Sequence, residues 1–519
     1  MITTKSNIHP REIKKVTLGN GEISINEIIA VSRYDAEVLF SHDYRNRVNI
    51  SRTVIEKFLD EERVIYGVTT GFGSNITKNI SSEDTETLQK NIIRSHAVSV
   101  GSPLEKEVVR AIQFMILVNL GNGFSGVKLA TLELLRSLLN HQIVPFAPGE
   151  GSVGYLSPEA HMALVLIGEG KAWHNGELIR GSDALEKAGL QPVSLGCKEG
   201  LALISGTTSV TALASLALYN SIQAAKTADI VGAMSLEALK GTIQAFNPRT
   251  HSVKKHEEQA GTARNIINML KGSEIAEKYR DYRLQDALSL RCIPQVHGAI
   301  KKVLKDAEFT ICNEINSSSD NPLITTEDQG DALMGGNFDG TFVGIYADTI
   351  AIAMANLAKV SERRLDRLVN FHVSELPNFL VAKPGLNSGY MIPQYTVAGL
   401  LNEIRVLAHP ATVDNTPTCA NQEDVVSFAY FAAKKAYQIT KKLEYILGLE
   451  LMAAVQALDF HHPLKPSPAS QKVYELIRSV VPTVEEDRYF YPDIQFITNL
   501  IREGEILNAI ELIIGKLDW

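Results

Sequence analysis

Apolar positions along the chain recur mainly at helical spacing. Three stretches dominate: SVTALASLALYNSIQAAKTADIVGAMSLEALKG (209–241), DTIAIAMANLAKVSERRLDRLVN (348–370) and QEDVVSFAYFAAKKAYQITKKLEYILGLELMAAVQAL (422–458). The first is rich in small residues and has few charges. A helix that is apolar on most faces must be buried on most faces. The pattern therefore predicts an all-α, mainly helical protein with a long central bundle. Two short segments read instead as hairpins. VTLGNGEISI (16–25) has Gly19-Asn20-Gly21 at its centre, and AWHNGELI (172–179) has Asn175-Gly176. Near residue 205 a Gly-rich mixed sequence gives way to long helices. That change divides the chain into a smaller N-terminal mixed domain, 1–205, and a bundle domain, 206–519, forming the core of an oligomer. No short repeat or low-complexity tract is present.

Composition narrows the classes. Hydrophobic residues make up 45% and charged residues 21%, ordinary for a soluble globular protein. The net charge of −8 is spread along the chain without a basic stripe, so no nucleic-acid partner is expected. Cys197, Cys292, Cys312 and Cys419 lack paired spacing, which argues against disulfides and zinc and fits a reducing cytoplasm. The leading MITTKSNIHPREIKK lacks the apolar core of a signal peptide. The most apolar long run, 342–360, is interrupted by Asp348 and Asn356 and followed by SERRLDR. It reads as a buried bundle helix and not as a membrane span. The histidines lack metal-ligand spacing, and GVTTGFGS lacks the lysine of a phosphate loop, so neither a metal nor a nucleotide is expected.

Eight separated segments carry a resemblance. YGVTTGFGSN (66–75), LQKNIIRSHAVSVG (88–101), KEGLALISGTT (198–208), LSLRCIPQVHGA (288–299), SSDNPLI (318–324), GGNFDG (335–340), GLNSGYMIPQ (385–394) and ANQEDVVS (420–427) stand in one order. Together they resemble the histidine and phenylalanine ammonia-lyases and their aminomutase relatives, over nearly the whole chain. The resemblance implies an all-helical homotetramer whose active sites are shared between subunits.

One motif departs from that family. Its reactive centre is an Ala-Ser-Gly triad that cyclises into an electrophilic methylidene-imidazolone, followed by Asp-Leu. Here Gly154 runs directly into Tyr155-Leu156-Ser157-Pro158. Ser205 stands where the family has Asn, and Leu288 where it has Tyr. A deletion with three substitutions around it reads as a site rebuilt without the cofactor. The alternative is a cyclised triad, a single non-standard residue, that the sequence does not spell out.

The resemblance also implies roles. Tyr66 matches the family's proton-abstracting tyrosine, and a phenol near pKa 10 needs its anion stabilised to act at neutral pH. Arg291 matches the arginine that holds the substrate carboxylate with its rigid fork, with Asn321 assisting and Gln285 in the same binding set. His96 and Glu423 match the histidine-lyase version of the pattern, where a carboxylate faces an imidazole N–H. Each has a bland alternative: a turn tyrosine, a capping ion pair, a satisfied core histidine. Without an electrophile, a primary amine is a poor leaving group, whereas a quaternary ammonium needs no capture. These residues predict a small-molecule substrate of the histidine-betaine class. The chain resembles the cofactor-less ergothionase branch, releasing trimethylamine from ergothioneine. Tyr155 and Phe338 would line the trimethylammonium pocket, Asp339 would face the cation, and Lys383 would face the thione. The alternatives are an ordinary histidine ammonia-lyase and an inactive homologue with a structural or binding role.

Overall fold

The computed structural model describes residues 8–78, 80–81 and 84–519. The first seven residues of the leading segment read for a signal peptide therefore lie outside the described residues. The chain forms two compact units, each assembled from separate stretches. The first comprises 1–219, 308–348 and 410–434; the second comprises 220–307, 349–409 and 435–519. Neither coincides with the compositional division at residue 205.

The second unit is the bundle that the pattern predicts. Four long helices contribute to it: Thr208–Ala238, Ile293–Ile315, Thr341–Val369 and Ala429–Asp459. Their faces here are mostly buried, so polar pairs set their mutual register. Asp229 accepts from Lys301 Nζ at 2.6 Å and pairs with His297 Nδ1 at 2.8 Å. Glu450 accepts from Arg364 Nε at 2.5 Å and from the Ser235 hydroxyl at 2.7 Å. Each carboxylate is wholly buried and has its charge matched, as a buried ion requires. Small residues permit the close approach. A Cβ on Gly232 would stand 3.1 Å from Ile293 and 3.8 Å from the Arg364 guanidinium. Two segments, Glu199–Ala238 and Thr341–Val369, are long and apolar enough to cross a membrane. The apolar window of the first is 100% buried within the fold and that of the second 56%.

The first unit is helical with small sheets. The hairpin expected over 16–25 does not form. Strand Lys15–Leu18 pairs in parallel with Glu37–Phe40, and the second half of the segment enters helix Ile25–Arg33. The reason is a capping box. Ser24 Oγ accepts from the Glu27 N–H at 3.3 Å, and the Glu27 carboxylate accepts from the Ser24 N–H at 2.8 Å. The second hairpin does form, Lys171–His174 with Glu177–Arg180, and Trp173 faces Leu178. Its turn residues Asn175 (φ 51°) and Gly176 (φ 82°) are both left-handed, as a two-residue hairpin of this kind demands. A small core of Ile55, Phe58, Ile65, Val68, Cys197, Ile324 and Ala332 underlies the loop that carries Tyr66.

Candidate active site

A cleft of about 610 Å³ opens in the first unit. Several separate segments of the chain build it. The Tyr66 loop is pinned from below by Ile65 and Val68. It is tied sideways by Thr69, whose Oγ1 accepts from the Ile65 N–H and donates to the Arg63 carbonyl, both at 2.9 Å. Gly67 is left-handed (φ 67°), and a Cβ there would strike Leu201 at 2.5 Å, so the tight turn needs glycine. The Tyr66 oxygen accepts from the Gly73 N–H at 3.0 Å. Burial pushes its pKa up, the Gly73 N–H pulls it back, and Glu423 and Cys419 push it up further.

His96 ends helix Thr85–His96. Its Nδ1 lies 2.7 Å from the Ile92 carbonyl. A carbonyl accepts only, so this network assigns the proton to Nδ1 and leaves Nε2 as an acceptor. Burial lowers its pKa, against the Ile92 carbonyl and Glu423, and favours the neutral ring.

Tyr155 is presented by a turn with Gly154 at φ 144° and Leu156 at φ 74°, and the Leu156 N–H donates to the Ile204 carbonyl at 3.0 Å. The Tyr155 residue is 6% exposed. Phe338 meets its ring edge-on at 5.2 Å. Its hydroxyl donates to Glu423 Oε2 at 3.1 Å. Burial, then the Glu423 carboxylate, raises its pKa far above the ordinary phenol value, so it stays a donor. Glu423 closes a loop of three successive left-handed residues, Cys419, Ala420 and Asn421. Thr418 Oγ1 donates to the same Oε2 at 2.8 Å.

Asn321 reaches the cleft from below. Its side-chain carbonyl accepts from the Gly335 N–H at 2.9 Å, and its own N–H donates to Asp320 Oδ1 at 2.7 Å. Asp320 Oδ2 in turn holds Lys198 Nζ at 2.5 Å, with both side chains wholly buried.

Six of the residues singled out in the sequence thus converge: Tyr66, His96, Tyr155, Asn321, Phe338 and Glu423. Asp339 is exposed beside them and caps the Thr341 N–H at 3.0 Å. Gln285, Arg291 and Lys383 belong to the second unit and do not line this cleft. Gln285 and Lys383 are exposed, while Arg291 is half-buried, its Nε buried and without a hydrogen bond among the described residues. Lys78 and Cys419 also line the cleft, and sequence reasoning missed both. Lys78 is the one lysine or arginine among the described lining residues. It lies in the same Gly-rich stretch as Tyr66, which is the signal that could have found it. Cys419 stands four residues before Glu423, in TPTCANQED.

The resemblance implies a methylidene-imidazolone at this place, and the residues present do not fit it. No Ala-Ser-Gly stands between Gly154 and Tyr155, and the Tyr155 ring packs against Phe338 beside the cut. Ser205, in place of the family's Asn, lines the cleft.

Comparison with known proteins fixes the family. A profile of the aromatic amino acid lyases matches residues 23–479. The histidine ammonia-lyase of Alkaliphilus oremlandii is 45% identical over 96% of this chain and 99% of its own. The crystal structure of histidine ammonia-lyase from Trypanosoma cruzi superposes with a TM-score of 0.89 at 35% identity, covering 96% of this chain and 95% of that one. Ergothionase from Treponema denticola superposes with a TM-score of 0.88 but shares 28% identity, over 95% of this chain and 100% of that one. These relationships overturn the expectation of trimethylamine release from ergothioneine. That expectation rested on the missing triad and the substitutions Tyr155, Ser205 and Leu288 around it, whereas the full-length likeness at 45% identity lies with histidine ammonia-lyases. With the tyrosine loop, His96 and Glu423 in one cleft and the matched profile in one chain, this protein belongs to the aromatic amino acid lyase family, a family of carbon–nitrogen lyases.

Proposed function

We propose that the protein is a histidine ammonia-lyase, converting L-histidine to urocanate and ammonia. The observation that carries this reading is the cluster of Tyr66, His96 and Glu423 in one cleft, in a chain 45% identical to a histidine ammonia-lyase over nearly its whole length. Tyr66, as phenolate, takes the β-proton. The C–H electron pair becomes the Cα–Cβ double bond, the C–N bond breaks, and the α-ammonium leaves as ammonia. The Gly73 N–H stabilises the phenolate. Glu423 and the neutral His96 accept hydrogen bonds from the substrate's imidazolium or amine N–H groups. Asn321 and Arg291 hold the carboxylate, Arg291 being contributed by another subunit of a homotetramer. Exposed Phe342, Ile345 and Ile352 on helix Thr341–Val369 support that assembly.

The test is urocanate and ammonia release from L-histidine by the purified full-length chain, with intact mass measured on the same sample. Equimolar urocanate and ammonia support the reading; neither product rejects it. A mass above the sequence by Ala-Ser-Gly less two waters reveals a triad that the sequence does not spell out. The missing triad favours a second reading, a homologue that binds histidine without turnover. Saturable binding of histidine with no product would select it.

A further inference from the structure

Glu423 is held by one oxygen only. The hydroxyls of Tyr155 and Thr418 both donate to Oε2, at 3.1 and 2.8 Å, and Oε1 has no hydrogen bond among the described residues. The carboxylate hangs from a loop of three left-handed non-glycine residues, so its backbone is tightly bent. A free glutamate side chain samples several rotamers, and two donors on one oxygen select among them. Tyr155 is itself fixed by burial, by the edge-on ring of Phe338 and by the turn that anchors Leu156 to Ile204. The two tyrosines of the cleft are thereby set to opposite tasks. The Tyr66 oxygen accepts from the Gly73 N–H, which eases its anion in part against the burial that opposes it, whereas the Tyr155 hydroxyl donates to a carboxylate, an arrangement that favours its neutral form.

We propose that Tyr155 is a positioning residue: with Thr418 it locks Oε2 of Glu423, so that Oε1 is presented to an N–H of the ligand's imidazole. This deepens the proposed histidine-lyase reading and rests on it for the identity of the ligand. Tyr155 stands at the triad cut, so the segment that lacks the family's electrophile also supplies a donor to the recognition carboxylate. The ring of Tyr155 serves packing and its hydroxyl serves alignment, and the two separate on substitution.

The test uses 3-(imidazol-4-yl)propionate, which lacks the amine and cannot react, titrated calorimetrically into the full chain. Tyr155→Phe keeps the ring and should weaken binding roughly tenfold, the scale of a hydrogen bond to a charged group. In a Glu423→Gln background the same Tyr155→Phe change should alter binding by less than about twofold, because the oriented carboxylate is already gone. Equal losses in both backgrounds, or no loss in the wild-type background, would overturn the proposal. A crystal structure of Tyr155→Phe supplies a reading independent of the ligand. The Glu423 carboxylate should leave its place beside Thr418, and an unmoved carboxylate also overturns the proposal. Failure of the unsubstituted chain to bind the analogue counts against imidazole recognition, and the structure of the variant then decides the role of Tyr155.

Discussion

Replacing Asp320 with Ala tests how the floor of the cleft is built. Asp320 performs two tasks with its two oxygens. Oδ2 balances the wholly buried Lys198 ammonium at 2.5 Å, and Oδ1 accepts the Asn321 N–H at 2.7 Å. Removing one partner of a buried ion pair costs about 3–5 kcal/mol, because the remaining charge is left without compensation. The lost acceptor for Asn321 adds about 1 kcal/mol. The sum, about 4–6 kcal/mol, falls on the segment where Lys198, itself left-handed at φ 73°, leads into helix Glu199–Ile204. A chain of two units is not a two-state unfolder, so a global midpoint is the wrong measure. Native-state hydrogen exchange over 198–208 reads the local opening directly. Protection there should fall by about a thousandfold or more, at about 1.4 kcal/mol per factor of ten. The variant Lys198→Met in the Asp320→Ala background removes the orphaned ammonium and should recover most of the protection. Two results would refute this reasoning: a loss under about tenfold in Asp320→Ala, or a double variant as labile as the single one.

Further predictions follow from the cleft and from the buried histidines. Tyr66→Phe should lower histidine turnover by about 10²–10⁴-fold, the usual range for a proton-transfer group. Binding of the unreactive propionate should stay within a few-fold, checked by steady-state rates beside calorimetry. Burial lowers the pKa of His96, His161 and His461 below the ordinary value of 6.5, so each is neutral in the folded chain. The unfolded chain therefore binds more protons as pH falls below 6.5, and stability present above that value is lost on the acid side. Hydrogen-exchange protection around His161, corrected for the intrinsic exchange rate, should fall towards about pH 5, and His161→Gln should flatten the slope. Ala420→Gly should relieve a left-handed alanine and raise local stability around Glu423 by about 1 kcal/mol, read as slower exchange over 418–424.

The long helices were legible because their burial is nearly complete and their sequence says so. The stretch 209–241, with few charges, has only one stable fate in water, and the helix Thr208–Ala238 meets it. The hairpin at 172–179 was legible from Asn175-Gly176, where the dipeptide itself selects the turn. The false hairpin at 16–25 shows the limit. Alternation in EISI matched a strand, but Ser24 and Glu27 stand three apart and form a capping box, a local signal that outweighs four residues of periodicity. In the cleft, Tyr66, His96, Asn321 and Glu423 were found by motif, because each lies inside a long matched run. Lys78 and Cys419 were not. Their approach depends on how the Tyr66 loop folds back, with Gly71 N–H bonded to the Lys78 carbonyl at 2.9 Å, and on the left-handed bend at 419–421. Neither closure has a counterpart in linear spacing.

The cut at Gly154–Tyr155 changes what the remaining groups must supply. A captured amine leaves easily, whereas an ammonium leaving as ammonia depends on the β-proton being taken by a strong base. The cleft offers Tyr66 one backbone donor for its anion and sets against it burial, a carboxylate and a thiol. Such a base is scarce at neutral pH and strong once formed. Turnover, on the proposed reading, should therefore rise with pH through the neutral range and continue rising on the alkaline side, since the folded value of Tyr66 lies above that of a free phenol. Removing the carboxylate should shift that limb. Glu423 is among the causes holding the Tyr66 value up, so in Glu423→Gln the rise should move to lower pH even as histidine binding weakens. At a given neutral pH kcat should rise while KM rises as well, a pairing that a fold defect, which lowers kcat, would not produce. A rate profile that is flat above neutrality, or one that moves to higher pH in Glu423→Gln, would remove Tyr66 from the role of base.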